Sequence, residues 1–332
     1  MKKVRVGVIG VGRMGQSHCR VYSTLRHVHL VGVTDMNAAH GRTVATNYDT
    51  TFFASPEQLL REVDAISIVT ATPAHFALAQ EAIRQGVHLL VEKPLTETVA
   101  QARQLIDLAE AQDLILQVGH IERFNPTYIE LKKITQGMAL IAVNLRRLSP
   151  FDASNKDVDV VRDLMIHDLD LLINLLGKNF APPYAVGRAL ASPAIDHAVA
   201  TFSFGDGPVA TLVASRITEQ KVRTIEVIAD GAYIEADLLS KNLVIHRHTF
   251  SRFDESQIVT AYRQESIIER IYVPAVEPLL LELEHFVGCV RLGIASAVPG
   301  QDGLFALDLA ERLLAQLTPS IQLQPYKEPQ LA

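Results

Sequence analysis

The chain has little cysteine, no block of like charges, no long apolar run, and no internal repeat or low-complexity segment. Each shortage excludes something. Cys19 and Cys289 are the only cysteines, too few for a disulfide framework. Both fall in helix-like apolar patterns, so buried free thiols in a reducing compartment are expected. A net charge of −6 without basic clusters argues against nucleic acid or an anionic membrane as a partner. No stretch approaches the roughly 18 consecutive apolar residues of a membrane helix. The apolar run after Lys2 and Lys3 is short and β-branched, unlike a signal peptide, and a cytoplasmic protein is expected. His246 and His248 share one face of a strand-like run with no third ligand at a metal-binding spacing, so no metal site is expected. Ser17, Ser67 and Ser149 lack a nucleophile-elbow context, which leaves serine hydrolase chemistry without support.

What is present is globular. The 332 residues are 48% hydrophobic and 20% charged, more than one ordinary core requires, so two domains are expected. The run Val4-Arg5-Val6-Gly7-Val8-Ile9 feeds Gly10-Val11-Gly12-Arg13-Met14-Gly15, and a helix-like stretch follows over 13–25. A strand leading through glycines into a helix N-terminus makes an anion site. Gly10 takes the tight turn, Gly12 lets the backbone approach a pyrophosphate, and Gly15 lets helix and strand pack closely. A second run, Leu30-Val31-Gly32-Val33-Thr34, ends at Asp35, about 20 residues past the last glycine, where a ribose-binding carboxylate belongs. Met36 and Asn37 follow it, and Asp35 repels a 2′-phosphate, so NAD is the expected cofactor.

From Asp35 onward, helix-like stretches alternate with short apolar strands, the pattern of an α/β Rossmann domain with a doubly wound parallel sheet. The buried run over 65–69 ends at Thr70-Ala71-Thr72-Pro73-Ala74-His75, and the run over 87–91 ends at Glu92-Lys93-Pro94. Ligands of such sheets bind outside the carboxyl ends of the strands. Thr70, Ala71, Thr72, His75, Glu92 and Lys93 therefore join Gly10, Gly12, Arg13, Met14, Gly15 and Asp35 as candidate cofactor contacts. The nucleotide domain is expected over 1–122. The remainder, 123–332, reads as α+β: strand-like runs between Tyr184 and Val273 form a large, mostly antiparallel sheet, helices over 278–292 and 304–317 close it, and the tail from Pro319 forms an extended strap.

Three groups carry chemistry. Lys93, partly desolvated at a strand end, is suited to proton transfer beside a neighbouring cation. Its plain alternative is a surface lysine before a turn, and Pro94 invites a fixed, cis-capable peptide. Asp163 and His167 stand four apart in a helix-like stretch over 158–176, so the carboxylate can orient the imidazole; a solvated acidic face is the alternative. His120-Ile121-Glu122-Arg123-Phe124-Asn125 ends the last strand of the sheet, where Arg123 can grip a phosphate or carboxylate and Asn125 a sugar hydroxyl. An interdomain hinge explains that cluster equally well. Arg146 and Arg147 are expected to straddle the two faces of a strand, solvated or reaching an anionic substrate.

In this order along the chain, Gly10 to Gly15, Asp35, Thr72-Pro73-Ala74-His75, Glu92-Lys93-Pro94, Gly119-His120 and Asp163 to His167 resemble the Gfo/Idh/MocA oxidoreductase family over nearly the whole sequence. The resemblance implies that Lys93 is the catalytic lysine, His167 the acid/base and Asp163 its neighbour. It also implies a homodimer or homotetramer formed through the C-terminal sheet. Val160-Val161-Arg162-Asp163 together with His120 to Pro126 looks most like the sugar-nucleotide subgroup, which oxidises the 3-hydroxyl of UDP-N-acetylglucosamine. That likeness implies a UDP-sugar substrate met by Lys93, His120, Arg123, Asn125, Arg162, Asp163 and His167. A dehydrogenase or reductase of a free sugar, inositol or other small substrate, and a non-catalytic NAD-bound regulator, are the other readings.

Overall fold

The computed structural model describes residues 3–152, 157–190, 193–251 and 263–317; the expected strap from Pro319 lies outside them. The chain divides into two compact units, Met1–Asn125 with Val276–Asp308, and Pro126–Ala275 with Leu309–Ala332.

The first unit holds six parallel strands, β1 (Val4–Ile9), β2 (Val28–Thr34), β3 (Thr51–Phe52), β4 (Ala65–Ile68), β5 (His88–Glu92) and β6 (Leu116–Gly119), in the order β3-β2-β1-β4-β5-β6. The order reverses direction between β1 and β4, so the carboxyl ends of those strands flank a crevice, the usual ligand position of such sheets. Helices α1 (Arg13–Thr24), α2 (Ala38–Asn47), α3 (Pro56–Leu60), α4 (His75–Arg84) and α5 (Val99–Ala111) connect the strands. Their starts follow from local chemistry. Ser55 caps α3 with Pro56 behind it, and Thr98 with Gln101 forms a capping box on α5, each satisfying backbone N–H groups that a helix start leaves unpaired.

The central strands are apolar throughout because both faces of this sheet are covered. On one face Ile66, Ile68, Leu89 and Val91 pack with Ala79, Ile83, Ala102 and Leu105. On the other, Val6, Val8 and Val33 pack with Cys19 and Tyr22 of α1 and with Leu279, Leu283, Phe286 and Val287. The last four belong to α8 (Pro278–Leu292). Here the structure departs from the expected 123–332 domain: residues 276–308 return to the first unit, because the apolar face of α8 completes its core. Helix α9 (Gly300–Leu314) also begins earlier than expected. Gly300 and Gly303 are required there, since a Cβ on Gly303 would lie 2.6 Å from Val118 of β6. Both cysteines are free and buried, and burial pushes the Cys19 thiol up to about 12.

The second unit contains α6 (Pro126–Thr135), β7 (Leu140–Leu148), α7 (Ile166–Leu176) and strands β8 (Tyr184–Arg188), β9 (His197–Ser203), β10 (Val209–Ser215), β11 (Val222–Ala229), β12 (Ala232–Asp237), β13 (Asn242–Ser251) and β14 (Arg263–Arg270). They form an eight-stranded sheet ordered β14-β13-β12-β11-β7-β10-β9-β8. Among the described residues only the β7–β10 pair of this sheet is parallel. Burial alternates along β8 through β12, the mark of a sheet covered on one face. The open face carries Ile141, Val186, Val209, Ile228 and Ile268, all exposed. His246 pairs there with Glu235 at 2.9 Å. Instead of one helix over 158–176, a π-helical turn, Val161–Met165, precedes α7.

Candidate functional site

At the end of β1 the backbone turns at Gly10 with φ +85°, a conformation that favours glycine, and a Cβ there would meet Thr70 and the Val69 carbonyl. A Cβ on Gly15 would run into the Gly10 carbonyl, whereas one on Gly12 would meet nothing within 4 Å. The turn is therefore closed on the protein side at Gly10 and Gly15 and open at Gly12. Gly12, the N-cap of α1, has no side chain to cap the helix, and the first N–H groups of a helix, here those of Arg13 and Met14 among them, lack intrahelical partners, which suits an anion. Asp35 fastens this turn to the end of β2. Its Oδ2 accepts the Val11 N–H at 2.8 Å and its Oδ1 accepts the Asn37 N–H at 2.8 Å. His40 adds a contact that no sequence signal marked: its Nε2 lies 2.9 Å from the Val11 carbonyl, which accepts from it. Both polar groups of Val11 are thus held by the β2–α2 segment.

The loop after β4 makes a short 3-10 turn, Thr72–Ala74. Thr70 and Thr72 are half-buried and Ala71 is exposed along it, but His75 differs from its expected role as a cofactor contact. The ring is buried, with Nδ1 3.0 Å from the Pro94 carbonyl and Nε2 3.1 Å from the Thr70 carbonyl. A ring enclosed between two carbonyls braces the β4 and β5 loops against each other. Burial holds its pKa below the ordinary histidine value, against the opposing pull of those carbonyls.

At the end of β5 the Lys93–Pro94 peptide is cis and Lys93 is half-buried. Burial pushes the neighbouring Glu92 carboxyl up, and the Lys93 charge, together with His18, holds it below the usual carboxylate range. After β6, a 3-10 turn, Ile121–Phe124, carries Glu122, Arg123 and, at its end, Asn125, all buried, as is His120 before it. Asn125 donates to Glu122 Oε2 at 3.0 Å, and Arg123 donates to Asp302 Oδ2 at 3.2 Å. Arg123, expected to grip a substrate anion, holds an internal carboxylate; a guanidinium this buried requires one.

In the second unit Asp163 lies in the π-turn and His167 in the first turn of α7, both half-buried. π-turns recur at functional sites. Arg162 is drawn to acids of its own unit: its backbone N–H donates to Asp159 Oδ1 at 2.8 Å, and its guanidinium lies 3.4 Å from Asp159 Oδ2 and 3.9 Å from Glu311 Oε1. Next to His167, Asp168 accepts two bonds from Arg147, at 3.0 and 2.7 Å. Arg147, expected to be solvated or to reach substrate, is fully buried. A second buried pair, Arg216 and Asp196 at 2.7 Å, secures the segment before the π-turn, since Arg216 also donates to the Val158 carbonyl. No periodicity marks either pair, because the partners lie about twenty residues apart on different elements.

Residues 4–120 match the family described as "Oxidoreductase family, NAD-binding Rossmann fold", and residues 146–235 match the GFO/IDH/MocA C-terminal domain. The chain is 39% identical over 246 residues to UDP-N-acetylglucosamine 3-dehydrogenase of Acidithiobacillus ferrooxidans, covering 74% of this chain and 78% of that protein. A solved structure of that enzyme superposes with a TM-score of 0.86 at 33% identity, covering 96% of this chain and 98% of the other. The scyllo-inositol 2-dehydrogenase (NAD(+)) of Bacillus subtilis is 26% identical over 92% of both chains.

Proposed function

The chain belongs to the Gfo/Idh/MocA oxidoreductase family, and on that premise we propose that it oxidises a ring hydroxyl of a sugar nucleotide, the 3-hydroxyl of UDP-N-acetylglucosamine, to a ketone. The observation that carries this reading is the 33% identity and 0.86 TM-score to a UDP-N-acetylglucosamine 3-dehydrogenase over 96% of the chain. The first unit fits the family's cofactor, NAD. The open side of Gly12, the uncapped start of α1 and the Asp35 carboxylate form a cradle for a pyrophosphate and a ribose. NAD supplies the hydride acceptor when bound.

The chain's own groups handle the proton and the charge. His167 takes the proton of the substrate hydroxyl, a task suited to an imidazole near neutral pH. Lys93 holds its positive charge against the oxygen as that oxygen becomes negative, the kind of stabilisation that dominates many catalysed reactions. Asp163 orients the imidazole. Asp35 accepts ribose hydroxyls and repels a 2′-phosphate, which selects NAD over NADP. The assignment of Lys93 and of Asp163 with His167 to one reaction rests on the family likeness of their motifs.

The exposed apolar residues of the second sheet, Val186, Val209, Ile228 and Ile268 among them, support a homodimer or homotetramer formed through that face. The two buried free thiols support a reducing, cytoplasmic setting. Among the described residues no helix is long and apolar enough to cross a membrane. A panel of UDP-sugars, free sugars and inositols, followed by NADH absorbance, tests the substrate. The highest kcat/KM is expected with UDP-N-acetylglucosamine. A higher value with an inositol assigns the chain to the cyclitol dehydrogenases, and reduction of NAD by none of them contradicts an enzyme of this class.

A further inference from the structure

Under the strand-end rim of the first unit lies an ionisable pair that the proposed chemistry leaves unused. His18, in the second turn of α1, is fully buried, and among the described residues its Nδ1 has no hydrogen-bond partner. Its Nε2 faces Glu92 Oε1 at 3.4 Å, and among the described residues that buried oxygen has no closer polar partner. The other carboxylate oxygen, Oε2, accepts the backbone N–H of Lys93 at 3.2 Å. The seat of the carboxylate is made by an absent side chain: a Cβ on Gly119 of β6 would lie 2.9 Å from Glu92 Cδ and 3.0 Å from each oxygen. Glu92, expected among the cofactor contacts, therefore turns its charge inward toward α1 and β6.

Burying a carboxylate is costly unless its partners compensate fully, and an apolar pair of the same shape would usually serve stability as well or better. Elsewhere the chain builds compensated pairs. Arg147 and Asp168 meet at 2.7 Å through hydrogen bonds. His18 and Glu92 meet more loosely, at 3.4 Å between Nε2 and Oε1, and among the described residues His18 Nδ1 has no hydrogen-bond partner. The charge persists all the same: burial pushes the Glu92 carboxyl up, and His18 with Lys93 overcomes that and holds it below the usual carboxylate range. A poorly compensated buried anion next to the candidate catalytic lysine calls for a role beyond stability.

We propose that His18 and Glu92 are positioning residues for Lys93: the carboxylate, seated against Gly119 and steadied by His18, ties down the Lys93 backbone N–H and sets a negative charge beside its ammonium group. Lys93 then meets the reacting oxygen as a cation in a fixed place. The sequence offered no hint of this, because His18, Glu92 and Gly119 come from three separate elements: β6 pairs Gly119 with Glu92, and α1 brings His18 up to the same carboxylate. The inference rests on the reading of Lys93 as a catalytic residue.

The test uses the full chain in three single variants, Glu92→Gln, His18→Asn and Gly119→Ala. Gly119→Ala displaces the carboxylate without removing it, since the atoms it crowds are the free end of a side chain. Thermal unfolding and NADH fluorescence titration check fold and cofactor binding. Trace acetylation by acetic anhydride at a fixed, mildly alkaline pH, read by peptide mass spectrometry, reports how much of Lys93 is uncharged without needing any substrate. Glu92→Gln and Gly119→Ala are expected to acetylate Lys93 about threefold faster or more. All three are expected to lower kcat about tenfold or more with KM and NADH affinity little changed. The Glu92→Gln/His18→Asn double variant should lose no more than the worse single one, the signature of groups acting as a unit. If Glu92→Gln does not fold, Gly119→Ala decides the acetylation arm. Unchanged acetylation in variants that keep their fold, or kcat losses that only follow the unfolding temperature, overturn the proposal. If the wild-type chain oxidises no hydroxyl substrate, the functional reading fails while the acetylation comparison still decides this one.

Discussion

Arg147 donates from Nε and Nη2 to Asp168 Oδ1 at 3.0 and 2.7 Å, both side chains almost wholly buried, one residue after His167. Removing one partner leaves the other as an uncompensated buried charge, which costs about 3–5 kcal/mol. Arg147→Met should therefore lower the stability measured by urea unfolding by about that amount. The double variant Arg147→Met/Asp168→Leu should recover most of the loss, since an apolar pair of similar volume replaces the charges. A double variant no more stable than the single one would mean that the pair does not act as a unit.

Asp35 is tied to the glycine turn through Val11 and to α2 through Asn37, so its loss should affect cofactor binding more than folding. Hydrogen bonds to a charged group contribute about 1.5–3 kcal/mol, which corresponds to roughly a ten- to hundredfold fall in NAD affinity for Asp35→Ala. NADP affinity should fall less or rise, because the repelling carboxylate is gone. Calorimetric titration of both cofactors against both proteins checks this, and an equal loss for the two would contradict the assigned role.

The buried imidazole of His75 has a sign that can be worked out. Its folded pKa lies below the ordinary 6.5, chiefly through burial, so below pH 6.5 the unfolded chain binds a proton that the folded chain resists. The contribution is complete above that pH and is lost as pH falls from about 6.5 toward the folded pKa. Burial moves His88, His197 and His285 the same way, so the unfolding temperature should decline on this acid limb, and His75→Asn should make the limb shallower. Glu92 acts in a lower window, its stabilisation being lost as pH falls below the ordinary 4.5 through its depressed folded pKa. An unfolding temperature that rises between pH 6.5 and about pH 5 would contradict the account.

The parallel sheet was legible because strands covered on both faces read as unbroken apolar runs, and each run ended at the glycines, Asp35, Thr70 or Lys93 that now line one rim. The return of α8 was not: Leu279, Leu283 and Phe286 announce an apolar helix face, yet periodicity carries no information about which sheet that face covers. The partners of Arg123 and His18 were hidden for a related reason. Asp302 follows Arg123 at a separation of 179 residues, and Glu92 belongs to a different element from His18, so no local spacing reveals either pair. His75 could be placed on the right loop from sequence, but not turned inward, because the two carbonyls that hold it belong to the backbone.

The most direct test of the central claim is the steady-state oxidation of UDP-N-acetylglucosamine with NAD by the wild-type chain, Lys93→Ala and His167→Ala, read as NADH absorbance, with NADH binding measured in parallel. Removal of the group that takes the proton, His167, typically costs about 10²–10⁴-fold, and removal of the group that stabilises the developing charge, Lys93, costs about 10²–10³-fold. Each variant should therefore lose about that much kcat while still binding NADH. Near-normal turnover in both variants would contradict the account.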